Sequence, residues 1–461
     1  MFRHTQGSGK SYSMAFLANK VFRKLKGNFT FVVITDRQEL DKQIYETFSN
    51  TGINTEENVR AENIDQLRKL LDEDHRFVFT LIHKFQERTL EIHPVLNERD
   101  DVIVMVDEAH RTQYDQLALN MRNALPNANF IAFTGTPLLA GERVTKDVFG
   151  DYVSEYNFKR AVEDGATVPI FYENRKLPLK LENQNIGDDV AEIYEKYDVD
   201  DESAEKFEIE NSQLYAVITS EAVLNKITED IVNHYFYQDG DWKSLVVCID
   251  KKTTVKMRNK VNAEKEKLKI FLENKLDLAN GSSEMRDIQR VLEKIENFDS
   301  AVVVSFGSTQ QDERLLREEN IDMRPHRERM KNENLEKTFK TTKNLKMVFV
   351  CNMWLTGFDV PDLRTLYLHK PMKGHTLMQT IARVNRVHYG KTNGLIVDYI
   401  NVFKNLQAAL ADYASNADSG VDYPAQDKEK LVEITQEYID DCKQFLREQT
   451  KVEFKDSTQA K

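Results

Sequence analysis

Near the start of the chain lies His4-Thr5-Gln6-Gly7-Ser8-Gly9-Lys10-Ser11, which has the composition of a phosphate-binding loop. Glycines 7 and 9 let backbone N–H groups turn inward around an anion. Lys10 would reach the β- and γ-phosphates, and Ser11 would offer its hydroxyl to Mg²⁺. Residues Tyr12 to Ala18 suit a helix whose N-terminus faces that anion. Farther on, Asp107-Glu108-Ala109-His110 follows an apolar run. With phosphates held by residues 8–11, Asp107 would bind the metal and Glu108 would polarise an attacking water. Thr134-Gly135-Thr136 closes the next apolar run. It reads either as a simple turn or as a coupling element whose hydroxyls touch His110 and sense the γ-phosphate. Finally, Arg383 and Arg386 stand three apart on a predicted helix that begins near Gln379. On one helix face, two guanidinium groups can stabilise phosphoryl charge in transfer.

These residues need a scaffold that brings them to one edge. The runs at 29–35, 77–80, 102–106 and 130–134 are apolar and continuous, as strands buried on both faces are. Helical patterns such as 36–48 separate them, so a parallel sheet covered by helices is expected, with its ligand at the C-terminal strand ends. Residues 1–175 make a first lobe. An acidic linker or insertion follows at 176–213. Strand-like runs at 244–249, 301–306, 346–351, 366–369 and 394–397 make a second α/β lobe over 214–405. Within it, the charged stretch 251–298 reads as an amphipathic helix pair broken at Asn280-Gly281. The tail, 406–461, reads as helical.

The 461 residues permit two to three domains, and the net charge of −12 excludes a broadly basic wrapper of nucleic acid. Cys248, Cys351 and Cys442 have neither metal nor disulfide spacing, which suits a reducing cytoplasm. No run is long and apolar enough to span a membrane.

Taken in order, these segments resemble the superfamily 2 helicase and translocase engine, with two RecA-like lobes and ATP between them. The resemblance extends to the R subunit of type I restriction enzymes, HsdR, over most of residues 1–405. It is carried by Thr35-Asp36-Arg37, by Val106-Asp107-Glu108-Ala109-His110-Arg111-Thr112-Gln113 and by Thr134-Gly135-Thr136-Pro137. Trp354-Leu355-Thr356-Gly357-Phe358-Asp359-Val360-Pro361 and Ile381-Ala382-Arg383-Val384-Asn385-Arg386-Val387 complete it. The resemblance implies an ATP- and Mg²⁺-dependent duplex-DNA translocase partnered by methyltransferase and specificity subunits. It adds Gly357 and Asp359 to the ATP site and Gln379 to the catalytic set with Lys10, Asp107, Glu108, Arg383 and Arg386. DNA backbone contacts are expected at Thr35, Asp36, Arg37, Thr80 and Thr356. Basic clusters at 20–26 and 251–260 read as DNA contacts or as solvated helix faces. Cys351-Asn352 stand where a hydroxyl or acidic pair is usual. The family's nuclease domain, its adenine-recognising segment and the strand feeding the phosphate loop are expected upstream of this sequence, and its C-terminal helical region is expected to be shortened. Two other readings stay open: another superfamily 2 DNA or RNA helicase, and a fragment with little ATPase activity.

Overall fold

A computed structural model describes residues 1–85, 94–107, 114–135, 149–175, 212–278, 281–306, 309–355, 358–372, 374–400 and 425–427. The first lobe comprises β1 (Phe2–His4), α1 (Lys10–Lys24), β2 (Thr30–Thr35), α2 (Gln38–Asn50), α3 (Ile64–Asp72), β3 (Phe77–Leu81), β4 (Val102–Asp107), α4 (Tyr114–Ala124), β5 (Asn129–Thr134) and β6 (Ser154–Tyr156). Its sheet runs β3-β2-β4-β5-β1-β6, with every neighbouring pair parallel. Residues Thr30–Thr35 and Val102–Asp107 are buried throughout, as central strands of a sheet covered on both faces must be. One face packs Met14, Ala15 and Ala18 of α1 with Ile44 and Phe48 of α2 against Phe31 and Val33. The other packs α3 and α4 through Leu67, Leu71 and Met121.

One expectation is corrected here. The strand feeding the phosphate loop lies within this sequence, as β1. Three residues suffice because both edges are used: Phe2 pairs with Phe133 on one side and Ser154 on the other. Phe2 also stacks on Phe133, with ring centroids 4.9 Å apart. The Met1 amino group donates to the Asp151 carbonyl at 2.7 Å, and Thr5 N–H to Tyr156 O at 2.8 Å.

The second lobe follows α5 (Phe158–Glu163) and contains β7 (Ile170–Asn174), α6 (Ser212–Ile218), α7 (Glu221–Tyr237), β8 (Lys243–Cys248), α8 (Lys251–Leu278), α9 (Ser282–Glu296) and β9 (Asp299–Val303). It continues through α10 (Thr309–Glu319), α11 (Arg324–Asn332), α12 (Leu335–Thr341), β10 (Leu345–Val350), β11 (Leu363–His369), α13 (Gly374–Ile381), β12 (Gly394–Asp398) and β13 (Ala425–Asp427). The parallel order is β13-β7-β12-β11-β8-β10-β9.

Two boundaries differ from the expectation. The sequence places residues 170–174 in the first lobe, but β7 pairs with β12 in the second sheet. Residues 425–427, read as part of a helical tail, form a strand on the free edge of β7. Sequence reading missed both because an edge position is decided by a partner distant along the chain. The remainder of the tail and residues 176–211 lie outside the described residues. The charged stretch 251–298 forms α8 and α9, which bury Val261, Leu272, Ile288, Val291 and Ile295 against α7. Among the described residues, no helix is long and apolar enough to cross a membrane.

Candidate functional site: a cleft between two parallel-sheet lobes

The loop after β1 has the backbone that its glycines imply. Gly7 and Gly9 take φ of +89° and +84°, a region side chains rarely adopt. The Ser8 hydroxyl donates to Thr5 O at 2.6 Å and closes the turn. Helix α1 then starts at Lys10, with Gly9 as its N-cap. Its first N–H groups lack intrahelical acceptors, which makes that end an anion site. The Lys10 ammonium folds back over the loop to His4 O at 3.4 Å. Burial, reinforced by the Lys10 charge, pushes the His4 imidazole below its ordinary pKa.

A cavity of about 350 Å³ opens beside this loop. Lys10, Ser11 and Asp107 of the first lobe line it together with Asp359, Arg383 and Arg386 of the second. Asp107 reaches it because β4 ends there, at the C-terminal edge of the first sheet. Strand β5 separates β4 from β1, with Asp107 in register with Phe133 and Arg3 with Thr134. The buried Thr134 therefore stands between the carboxylate strand and the loop strand. Ser11 and Asp107 present a hydroxyl and a carboxylate to one cavity, a pair of hard oxygen ligands. Mg²⁺ takes few protein ligands and completes its shell with phosphate and water, so this pair fits it. Among the described residues no larger cluster of metal-ligating side chains occurs.

The second wall departs from the expectation. Helix α13 ends at Ile381, so Arg383 and Arg386 do not share a helix face. The chain tightens through Arg383 N–H to Thr380 O and Val384 N–H to Ile381 O. It then extends, because Asn385 O accepts from Val168 N–H at 2.8 Å. The turn gives the two arginines different environments. Arg383 is 6% exposed and donates to Gln379 O at 3.0 Å, to Phe358 O, and across the cleft to Gln6 Oε1 at 3.2 Å. Arg386 is more open and makes an ion-pair contact with Asp359 at 3.1 Å.

Gln6 lines the cleft and was missed by sequence reasoning. Besides meeting Arg383, its carbonyl accepts from Asn385 Nδ2 at 3.1 Å. The two lobes thus join through the phosphate loop itself. A Cβ on Gly7 would stand 2.8 Å from Arg386 Nη1 and 3.1 Å from Asn385 Oδ1. Gly7 is needed for its φ, and a side chain there would also displace the Arg386 guanidinium. The only hint in the sequence was a polar side chain between the strand and the first glycine.

The expected DNA contacts fare unevenly. Thr80 is fully buried between β2 and its own lobe's helices, so no phosphate reaches it in this conformation. Thr35 is fully buried as well, its hydroxyl directed to Arg37 O at 3.3 Å. Asp36 and Arg37, expected as DNA contacts, line the same cavity as Lys10. The basic run at 251–260 is largely paired within the lobe. Lys252 and Lys256 meet Glu319 at 3.2 and 3.1 Å, and Lys260 meets Glu221 at 2.5 Å. Glu108, His110, Thr136, Thr356 and Gly357 lie outside the described residues. Cys351 is buried, with its sulfur 3.6 Å from Ile249 O.

Known proteins share this two-lobe fold. Residues 1–203 match the SWI2/SNF2 ATPase family, and residues 156–401 match domain 3 of the type I restriction enzyme subunit R. The chain is 38% identical over 421 residues to the MjaIXP type I restriction enzyme endonuclease subunit of Methanocaldococcus jannaschii, covering 90% of this chain and 36% of that one. It is 36% identical over 442 residues to the type I restriction enzyme HindI endonuclease subunit of Haemophilus influenzae, covering 90% and 38%. Among solved structures, a fragment of an HsdR subunit from Vibrio vulnificus superposes with a TM-score of 0.54 at 13% identity, over 93% of this chain and 62% of that one. The type ISP restriction-modification enzyme LlaBIII bound to DNA gives 0.50 at 11% identity, over 92% and 29%. This chain spans little more than a third of the length of the two curated relatives. A phosphate loop and a carboxylate strand end facing two arginines across a pair of parallel-sheet lobes, in a sequence matched by both family models, make this chain a member of the type I restriction enzyme R subunit family.

Proposed function

We propose that this chain is the ATP-driven motor of a type I restriction enzyme R subunit. The observation that carries the reading is the cleft in which Lys10, Ser11 and Asp107 face Arg383 and Arg386. Lys10 and the N–H groups of the loop hold the phosphates, and Ser11 and Asp107 would hold Mg²⁺. When bound, the metal neutralises charge on the β- and γ-phosphates. Glu108 orients and deprotonates the attacking water. Arg386 faces the γ-phosphate and offsets charge that develops in transfer, while Arg383 and Gln379 hold the second wall against the loop. Asp359 positions Arg386. His110, Thr134 and Thr136 carry the state of the γ-phosphate from β4 and β5 to the rest of the lobe.

The work of that cycle is movement along duplex DNA. A site that spans two lobes changes its closure with each hydrolysis, and each lobe can grip the DNA backbone in turn. LlaBIII, whose fold this chain shares, has been solved on DNA. Thr356 is the backbone contact proposed here. The partners proposed are methyltransferase and specificity subunits, which supply the stationary, sequence-reading part of a restriction complex.

The test is ATP hydrolysis by the purified chain with and without duplex DNA, alongside displacement of a third strand from a triplex placed downstream. DNA-stimulated hydrolysis that Lys10→Ala and Glu108→Gln abolish, with triplex displacement and no unwinding of a forked duplex, is expected. Normal hydrolysis in either variant would remove the assigned roles, and unwinding without displacement would make the chain a helicase instead.

A further inference from the structure

Resting on the motor reading of the cleft, we propose that Lys391 is a positioning residue for Arg386, tying the turn that follows this arginine to the turn that follows Asp359. Two tight turns lie behind the Asp359–Arg386 contact. The first, Val360 to Leu363, comes directly after Asp359 and closes through Leu363 N–H to Val360 O at 3.0 Å. The sheet holds it in place. At the start of β8, Lys243 donates its backbone N–H to Asp362 O at 3.2 Å, and its ammonium meets the Asp362 carboxylate at 2.8 Å. The second turn, His388 to Lys391, closes through Lys391 N–H to His388 O at 3.0 Å, with Gly390 at a φ of +77°. Lys391 then reaches from the second turn to the first. Its Nζ donates to Pro361 O at 3.1 Å and to Leu363 O at 2.6 Å. Between Arg386 and this clamp, residues 387–390 are all exposed, Tyr389 almost completely. Asn385 before the arginine and Lys391 after it are buried. The main chain that carries Arg386 is therefore pinned on both sides. Asn385 pins it to the phosphate loop and to Val168, and Lys391 pins it to the segment of Asp359.

The chemistry of lysine suits this task. Taking an ammonium out of water is costly, and an apolar side chain would fill the same volume without that cost. What an apolar side chain lacks is a donor for each of two carbonyls. Burial pushes the Lys391 ammonium from its ordinary 10.5 down to about 7. The charges that face it are Asp362 and Asp359, which favour its proton, and Arg386 and Arg364, which oppose it. Near neutral pH the amine thus spends much of its time uncharged, and in that form it keeps two N–H donors, enough for both carbonyls. It grips the turn without setting a permanent second cation beside Arg386. An arginine in the same place could not shed its charge.

The experiment is steady-state ATP hydrolysis by the 461-residue chain on duplex DNA. It is repeated on Lys391→Met, Lys391→Gln, Arg386→Ala and the double variants of Arg386→Ala with each Lys391 change, all checked for folding by circular dichroism. Methionine fills the volume and cannot donate, whereas glutamine keeps an amide donor. Lys391→Met should lower kcat on the order of 10- to 100-fold by misplacing the guanidinium. KM for ATP should stay within about twofold, because Lys10 and the loop still hold the phosphates. Lys391→Gln should fall between wild type and Lys391→Met. Where Arg386 is already alanine, Lys391→Met should cost less than about twofold more, since residues that act as a unit are not additive. Wild-type kcat in either folded Lys391 variant overturns the proposal. So does an equal loss with and without Arg386, or a loss carried by KM alone, because either makes Lys391 a general support of the lobe. If Lys391→Met does not fold, Lys391→Gln and its double variant decide on the same terms. A wild-type chain without DNA-stimulated hydrolysis overturns the motor reading, and the role of Lys391 with it.

Discussion

The two walls of the cleft are built in opposite ways. The first-lobe wall has a local centre: six consecutive residues, Gln6 to Ser11, and the helix they start make its phosphate loop, to which Asp36–Thr47 and the end of β4 add the rest of the lining. The second-lobe wall is assembled from distant segments, Phe358–Asp359 and Gln379–Arg386, whose placement depends on β7, β11 and β12 packing beside one another. Its two arginines show the consequence. They are alike in type and three apart in sequence, yet Arg383 is locked by three acceptors and Arg386 by one ion-pair contact. A residue held that firmly builds the wall. A residue held that loosely is free to turn to a phosphate.

This difference can be broken by substitution. Arg386→Ala should lower kcat for ATP hydrolysis by on the order of 10³, as loss of an arginine finger does. Its melting temperature should stay near wild type, since a partly exposed pair adds little stability. A large drop in melting temperature would merge its role with that of Arg383. Lys10→Ala, on the opposite wall, should reduce hydrolysis by roughly 10²–10³ through loss of one charged donor, again with the fold intact by circular dichroism. Arg383→Ala should behave otherwise. It strands Gln6 Oε1 and the carbonyls of Gln379 and Phe358, and should cost about 1.5–3 kcal/mol in denaturant unfolding along with activity. Unchanged stability there would undo the distinction between the two arginines.

Smaller effects sharpen the comparison at the seam. Gly7→Ala should destabilise by about 1–3 kcal/mol from the left-handed backbone alone. The added methyl also meets Arg386 and Asn385, so the variant should weaken the contact between lobes, read as faster proteolysis between them. The smallest effect is a pH dependence within the second lobe, at Lys391, which donates to Pro361 O and Leu363 O. Burial pushes the Lys391 ammonium from its ordinary 10.5 down to about 7, although Asp362 works in the opposite direction. The unfolded chain then binds more protons than the folded one between these two values, so stability from this group rises with pH across that window. The melting temperature of wild type relative to Lys391→Met should therefore rise from pH 7 to pH 9.5. A flat difference would mean that the amine is not buried as described.

How much was legible in the sequence follows the same division. The phosphate loop and its glycine conformations could be read directly, because an anion site of this kind is made by backbone turning at adjacent residues. The buried strands were legible as apolar runs, and Asp107 at a strand end followed from them. Gln6 was not legible, because its role depends on Arg383, which lies 377 positions away. Nor was the burial of Thr80 and Thr35: a hydroxyl at a strand end looks available until the helices that cover it are placed. Arg383 and Arg386 were found as residues and misplaced as geometry, because helix propensity through Asn385 is overridden by its hydrogen bond to Val168.

The sequence by itself determined a parallel α/β chain with a phosphate loop, a carboxylate strand end and an arginine pair, all of them consequences of local composition and spacing. Tertiary structure decided that β1 is strand enough to aim the loop, being paired along both edges. It decided that Asp36 and Arg37 open into the cleft, and that Arg383 is buried among three acceptors while Arg386 is more open and pairs with Asp359. These outcomes depend on contacts between segments far apart in the chain. The free energy of such contacts lies in burial and pairing across the fold, which no local pattern encodes.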